Sequence, residues 1–302
     1  MGSHLQNSFY NEANQMLTFQ PEAQSAKSMT YDENGNMVSI TNSCGTTNYA
    51  WDVRNRLVGI NGFKPDCTSL SASFNYDALG RRIEKTINGR TIQYLYGGLD
   101  IVQEIENSAV SANYIRTLSI DEPLARLTPN ALRFYQTDAL GSVIALTDDT
   151  GAVKTTYSYD PFGSVTVNGE ASDNPFQYTG RENDGTGLYY YRARYYSPEL
   201  QRFVSEDPIR FRSGDVNFFI YVGNNPVNKI DPLGLLGWDT IIKFIVKQGA
   251  KWGLKDPLDK ITPPLDPSEQ EKLERDDDND GIPNFQDPDS PWCKVNCNIC
   301  HY

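Results

Sequence analysis

Hydrophobic and polar positions alternate with period two along much of the chain, as in Thr91-Ile92-Gln93-Tyr94-Leu95-Tyr96 and Val153-Lys154-Thr155-Thr156-Tyr157-Ser158-Tyr159. Successive strand residues face opposite sides of a sheet, so this alternation predicts half-buried β-strands. Turn-forming segments separate the runs, and several share one pattern. Tyr31-Asp32-Glu33-Asn34-Gly35-Asn36, Trp51-Asp52-Val53-Arg54-Asn55-Arg56-Leu57, Tyr76-Asp77-Ala78-Leu79-Gly80-Arg81-Arg82 and Tyr159-Asp160-Pro161-Phe162-Gly163 are copies, and Asp138-Ala139-Leu140-Gly141-Ser142-Val143 is a looser one. Asp, Asn and Gly tolerate positive φ and bond their own backbone, so each copy predicts strand–turn–strand. Tyr31, Trp51 and Tyr76 lie 20 and 25 residues apart, periods at which each unit buries its face only against the next. The expected fold is mainly β: consecutive antiparallel β-hairpins curling into a partial shell or plug, followed by a small α-containing C-terminal extension with a calcium loop.

Composition adds three constraints. Aromatics reach 12%, with 18 Tyr, a residue that buries its ring while its hydroxyl finds a partner. The net charge of −12 argues against a nucleic-acid backbone as partner of the whole protein. No run approaches the roughly 18 apolar residues of a membrane span, and no secretory signal is visible. Met1-Gly2-Ser3-His4 resembles an expression-tag remnant, so residues 1–7 are set aside. Five Cys are present, Cys44 and Cys67 isolated and three in the last ten residues, so one is left over under any pairing.

Residues 175–235 read PFQYTGRENDGTGLYYYRARYYSPELQRFVSEDPIRFRSGDVNFFIYVGNNPVNKIDPLGL. An aromatic- and Arg-dense block leads into Asp-Pro turns at Asp207-Pro208 and Asp231-Pro232, and the second closes in Leu233-Gly234-Leu235. Proline restricts the residue before it, which holds each Asp in an extended turn. Two carboxylates brought together cannot both ionise cheaply, so one can act as base on a water while the other donates to a carbonyl. Arg181, Arg192 and Arg194, set among Tyr189, Tyr190, Tyr191, Tyr195 and Tyr196, are expected to stack structurally on those rings.

This stretch resembles the RHS-repeat-associated core, and residues 8–174 resemble degenerate YD repeats of the same proteins. The resemblance implies a β shell that encloses its own C-terminal domain and cuts itself after the DPxGL motif by an aspartic-protease-like mechanism. Asp207 and Asp231 would then form the dyad, Arg202 their electrostatic partner, and Leu235–Leu236 the scissile bond. It also implies secretion or delivery to target cells, with delivery machinery and an immunity protein as partners. Gln201 and Arg210 stand where the family motif has glycines; Arg210 would bring a cation near Asp207 and depress its pKa. Asp215 is a third carboxylate in the stretch.

After Leu235 the composition changes, and residues 236–302 form the variable domain of this scheme. Asp239 can cap a helix over 238–255, with Lys243, Lys247, Lys251 and Lys255 in a stripe opposite Ile241, Phe244, Ile245 and Trp252. Such a helix can pack on the shell interior or lie on an anionic membrane as a membrane-active peptide toxin. A Pro-rich link follows. Asp276, Asp278, Asp280, Ile282, Asn284 and Asp287 then take the ligand positions of an EF-hand-type loop around Gly281, the alternate-residue oxygen set that Ca²⁺ requires. Cys293, Cys297, Cys300 and His301 offer ligands for Zn²⁺ or an Fe–S cluster, or disulfide partners for one another, Cys44 or Cys67. The first expectation is a self-cleaving shell that releases a small effector, an antibacterial or host-directed toxin. The alternative is a non-cleaving surface module with a calcium-stabilised tail.

Overall fold

The alternating runs form sixteen strands, β1 (Phe9–Tyr10) through β16 (Val165–Gly169), in one sheet whose spatial order follows chain order. The structure is a computed structural model and describes residues 8–21 and 25–235. Each strand pairs antiparallel with the next, so the element is a continuous meander of hairpins. The turn chemistry is explicit. Asp32 Oδ1 accepts the Asn34 and Asn36 amides at 3.0 and 2.8 Å, while the Gly35 amide donates to the Asp32 carbonyl at 3.1 Å. Asp52, Asp77, Asp138 and Asp160 repeat the pattern. Two further copies escape sequence inspection, at Asn11 and Asp148, because neither follows the aromatic-Asp-x-x-Gly/Asn signature.

The aromatic beside each turn has its own task. Trp51 Nε1 donates to the Met37 carbonyl at 2.9 Å, Tyr76 Oη to Leu57 at 2.6 Å, Tyr96 Oη to Arg82 at 2.8 Å and Tyr159 Oη to Val143 at 2.7 Å. Each acceptor is the first strand residue after the preceding turn, so a ring with a donor stitches one repeat to the last. Register shifts fall at the turn aromatics Tyr31, Trp51 and Tyr76, at Thr30/Tyr31, Ala50/Trp51 and Asn75/Tyr76. Bulges of this kind add twist and bend a strand, and the sheet curls: a cavity of about 380 Å³ is lined by Lys85 and Ile92 on one side and by Val165 and Val167 on the other.

A second sheet fills the curl. Its strands are β17 (Glu182–Asn183), β18 (Tyr189–Tyr191), β19 (Arg194–Ser197) and β20 (Arg202–Phe203). Leu188, Tyr190, Tyr195, Leu200 and Val204 pack with Met16, Met29, Leu57 and Phe74 of the large sheet, and Phe176 packs with Ile92, Tyr114 and Tyr135. The Tyr178, Tyr189 and Tyr196 hydroxyls donate to the carbonyls of Pro161, Gly163 and Phe162, so three plug tyrosines seat the single turn opened by Asp160. Ion pairs complete the join. Arg82, fully buried, holds Glu182 Oε2 at 2.7 Å and Asp184, and lies 4.2 Å from the Tyr190 ring centroid.

Cys44 and Cys67 form a disulfide between neighbouring hairpin turns, 23 residues apart in sequence. This pairing replaces the expectation that either would pair with a tail cysteine. Closing a loop of that length removes roughly 3 kcal/mol of unfolded-state entropy on the chain-entropy model.

The stitching role of the repeat aromatics has a direct test. Tyr76→Phe keeps the ring and deletes the donor to Leu57, and should lower unfolding free energy by about 1 kcal/mol. An unchanged denaturant midpoint would mean that this hydroxyl does not secure one repeat to the next.

Candidate active site at the second Asp-Pro turn

Strand β19 begins with Arg194, whose side chain is buried against the Phe203 ring at 3.6 Å from its centroid. Its Nη2 lies 3.0 Å from Asp207 Oδ2 and 3.4 Å from Asp231 Oδ2. The two Asp-Pro carboxylates, 24 residues apart in sequence, are thus brought to one guanidinium nitrogen, and both are buried. Arg194 also donates from Nε to the Gly234 carbonyl at 2.5 Å and from Nη1 to the Phe218 carbonyl at 3.0 Å.

Each Asp is fixed by its local turn. The Asp207 amide donates to the Phe218 carbonyl at 2.9 Å, and Asp207 Oδ1 accepts the Ile209 amide at 3.0 Å. Asp231 Oδ1 accepts the Leu235 amide at 2.9 Å, folding the Leu233-Gly234-Leu235 segment back over its own carboxylate. Gly234 is required there. Its φ is +67°, and an added Cβ would meet the Tyr191 carbonyl oxygen at 2.2 Å, a contact no side chain could make.

The electrostatics follow from burial. One cation faces two carboxylates in a water-poor site, so a proton is more easily held than released. Burial pushes the Asp231 carboxyl above its ordinary value and the neighbouring Asp207 adds to the push, against pulls from Arg194 and the Leu235 and Gly234 amides. Burial also draws the Arg194 guanidinium down, opposed by both aspartates.

Arg202 is not at this centre. Its Nη2 donates to the Asn14 carbonyl at 2.9 Å, and its guanidinium sits 5.1 Å from the Tyr10 and Phe219 ring centroids. Arg194, which sequence reasoning grouped with structural arginines, occupies the position expected of Arg202. Its signal was the Arg density beside two aspartates in a net-acidic chain, where a buried cation must be paired. Stacking alone was also too narrow an expectation for its neighbours: Arg181 and Arg192 both hold Asp121. The Arg210 amide donates to the Asp207 carbonyl at 2.9 Å, but its guanidinium, 64% exposed, pairs with Glu206 at 3.3 Å. Gln201 and Arg210, standing for glycines, keep left-handed φ values of 58° and 48°. Asp215 caps its own turn through the Asn217 amide.

Leu236, the 238–255 helix, the Asp276–Asp287 loop and the Cys293–His301 cluster lie outside the described residues. Among the described residues no group of three or more His, Cys, Asp or Glu is placed to hold a metal, and no helix is long and apolar enough to cross a membrane.

Known proteins share this architecture. The tRNA nuclease WapA of Bacillus subtilis strain 168 is 35% identical over 242 residues, covering 77% of this chain and 10% of its own length. The double-stranded DNA deaminase toxin A of Burkholderia cenocepacia is 28% identical over 263 residues, covering 76% of this chain and 18% of its own. The chain therefore spans only a small part of these relatives. A structure of the Photorhabdus luminescens Tc holotoxin pore superposes with a TM-score of 0.53 at 20% identity, over 76% of this chain and 15% of that one, which shows a common fold. The teneurin YD-shell profile matches residues 63–227. With its meander of Asx-capped hairpins, its tyrosine-rich plug and its toxin relatives, the chain belongs to the teneurin YD-shell family as an RHS/YD-repeat protein of the toxin-associated kind.

Proposed function

We propose that this chain closes a YD-repeat shell and cuts itself after Leu235, freeing residues 236–302 as a small effector delivered to other cells. The observation that carries this reading is the convergence of Asp207 and Asp231 on Arg194, with the Leu235 amide bonded to Asp231. Asp207, nearer the guanidinium, is the ionised base that takes a proton from water. The water oxygen then adds to the Leu235 carbonyl carbon. Asp231, whose proton burial favours, donates to the carbonyl oxygen; the C–N bond to Leu236 then breaks as its nitrogen takes the proton from Asp207 and a hydroxyl of the tetrahedral carbon returns its proton to Asp231. Arg194 orients both carboxylates and tethers the Gly234 carbonyl one residue before the reacting carbon.

The relatives support placing the effector in the tail. A tRNA nuclease and a DNA deaminase toxin share this segment, by their names act on different substrates, and so do not owe that difference to the shared shell. A toxic tail in turn calls for an immunity protein in the producing cell and for delivery machinery. The lysine-striped 238–255 helix leaves a membrane as one target of that tail.

Freshly translated wild type is expected to yield a fragment ending at Leu235 on a denaturing gel with intact-mass readout, and Asp231→Asn to stay intact. A wild type that persists as one species would instead identify a non-cleaving shell module. The pH dependence has a definite sign. The donor form of Asp231 is populated below its raised pKa and is lost as pH rises through it, so self-cleavage should slow toward alkaline pH. A rate that keeps climbing toward alkaline pH would remove Asp231 as the acid.

We further propose that Asp276, Asp278, Asp280, Ile282, Asn284 and Asp287 bind Ca²⁺ and order the tail, on the strength of their spacing alone. Calorimetric titration of the full chain should show one calcium site that Asp280→Asn weakens or abolishes; no heat in wild type would end the proposal.

A further inference from the structure

Arg192 occupies the turn between β18 and β19 with φ +57°, a conformation that costs a side-chain-bearing residue energy and persists where the surroundings hold it. Its guanidinium, 13% exposed, spans three parts of the molecule. Nη2 lies 2.9 Å from Asp100 Oδ1, at the start of β10 (Asp100–Glu106), and 2.7 Å from Asp121 Oδ1, in the turn before β12 (Pro123–Thr128). Nη1 donates to the Pro232 carbonyl within the second Asp-Pro turn. The same hairpin grips the next residue through the Ala193 amide, which donates to the Leu233 carbonyl at 3.2 Å. Asp121 is itself braced by Arg181, and its carbonyl oxygen sits where a Cβ on Gly180 would approach to 2.6 Å.

We infer that Arg192 is a positioning residue that makes cleavage conditional on the wrapped sheet. The inference rests on the self-cleavage proposed above. Arg192 touches neither Asp207 nor Asp231. It joins Pro232, the residue after the dyad aspartate, to two carboxylates that stand in place only when β10 and β12 have closed over the plug. Pro232 lies three residues before the scissile carbonyl, so its carbonyl bond sets where the Leu233-Gly234-Leu235 segment lies over the dyad. A chain whose sheet has not wrapped leaves Arg192 without its anchors and the cleavable segment out of register, so the effector stays attached until the shell that should enclose it exists.

The test is cell-free synthesis of the full chain with time-resolved gels, comparing wild type, Arg192→Gly, Arg192→Lys and Asp100→Asn. Glycine suits the φ of +57°, so Arg192→Gly removes the guanidinium while relieving backbone strain. Cleavage in Arg192→Gly should slow by about tenfold to a hundredfold, the scale expected when a reacting segment is displaced by about 1 Å, while the thermal transition stays cooperative. Arg192→Lys keeps the cation and should recover part of the rate. Asp100→Asn carries the same test from the sheet side if Arg192→Gly fails to fold. Any folded variant lacking either end of the bridge that cleaves within about twofold of wild type overturns the inference, as does an Arg192→Lys no faster than Arg192→Gly. A wild type that never cleaves refutes the self-cleavage reading itself, a distinguishable result.

Discussion

The structure depends on arginines that leave one sheet and end on carboxylates of the other. Arg82 reaches from the large sheet to Glu182 and Asp184 of the plug, while Arg181 and Arg192 reach from the plug to Asp121 and Asp100. Buried ion pairs add little net stability, because desolvation offsets most of the attraction, yet removing one partner costs about 3–5 kcal/mol. That asymmetry makes them devices of register. Tyrosine rings packing on aliphatic side chains would tolerate small slides of the plug within the curl; a guanidinium with fixed donor directions does not.

The plug's position in turn creates the chemistry. Asp207 and Asp231 sit on separate turns and would have no reason to meet in a loose chain. Arg194 gathers them, and the tyrosine cluster of Tyr178, Tyr189, Tyr191, Tyr196 and Tyr221 around this hairpin keeps the neighbourhood dry. A low local dielectric strengthens the cation's hold and raises the cost of a second negative charge. The upward push on the Asp231 pKa is thus a product of packing as much as of its neighbours. Gln201 and Arg210, where the family motif has glycines, take left-handed backbone, so these turns place strain on side-chain-bearing residues.

The fold was legible in sequence because its signals are local. Alternation fixes strand faces, and the turn aspartates bond amides two and four residues on, so the repeats announce themselves within six residues. Asn11 and Asp148 were missed because the hydrogen-bond pattern tolerates departures that a residue pattern does not. The two Asp-Pro aspartates were legible through family resemblance; proline makes the turn visible but says nothing of what it faces. Sequence alone does not separate Arg194 from Arg202, for one reason. Which arginine reaches a buried carboxylate is set by how four short strands register against one another, and Tyr196 pairing with Phe203 decides it at a distance in sequence.

An intramolecular protease faces a problem that a free enzyme does not: its substrate is present from synthesis, so its activity must be limited by geometry. Here the Pro232-to-Leu235 segment is pinned along its length, with Pro232 bonded to Arg192, Leu233 to the Ala193 amide, Gly234 to Arg194 and the Leu235 amide to Asp231. None of those four hydrogen bonds involves the Leu235–Leu236 peptide bond that the proposed cleavage breaks. Under the self-cleavage proposed above they would survive the cut, so the new C-terminus would stay over the two aspartates and leave no room for a second substrate. On that proposal the site would turn over once and then become part of the wall. The buried charges that look costly for a catalyst suit a shell that must afterwards hold shut.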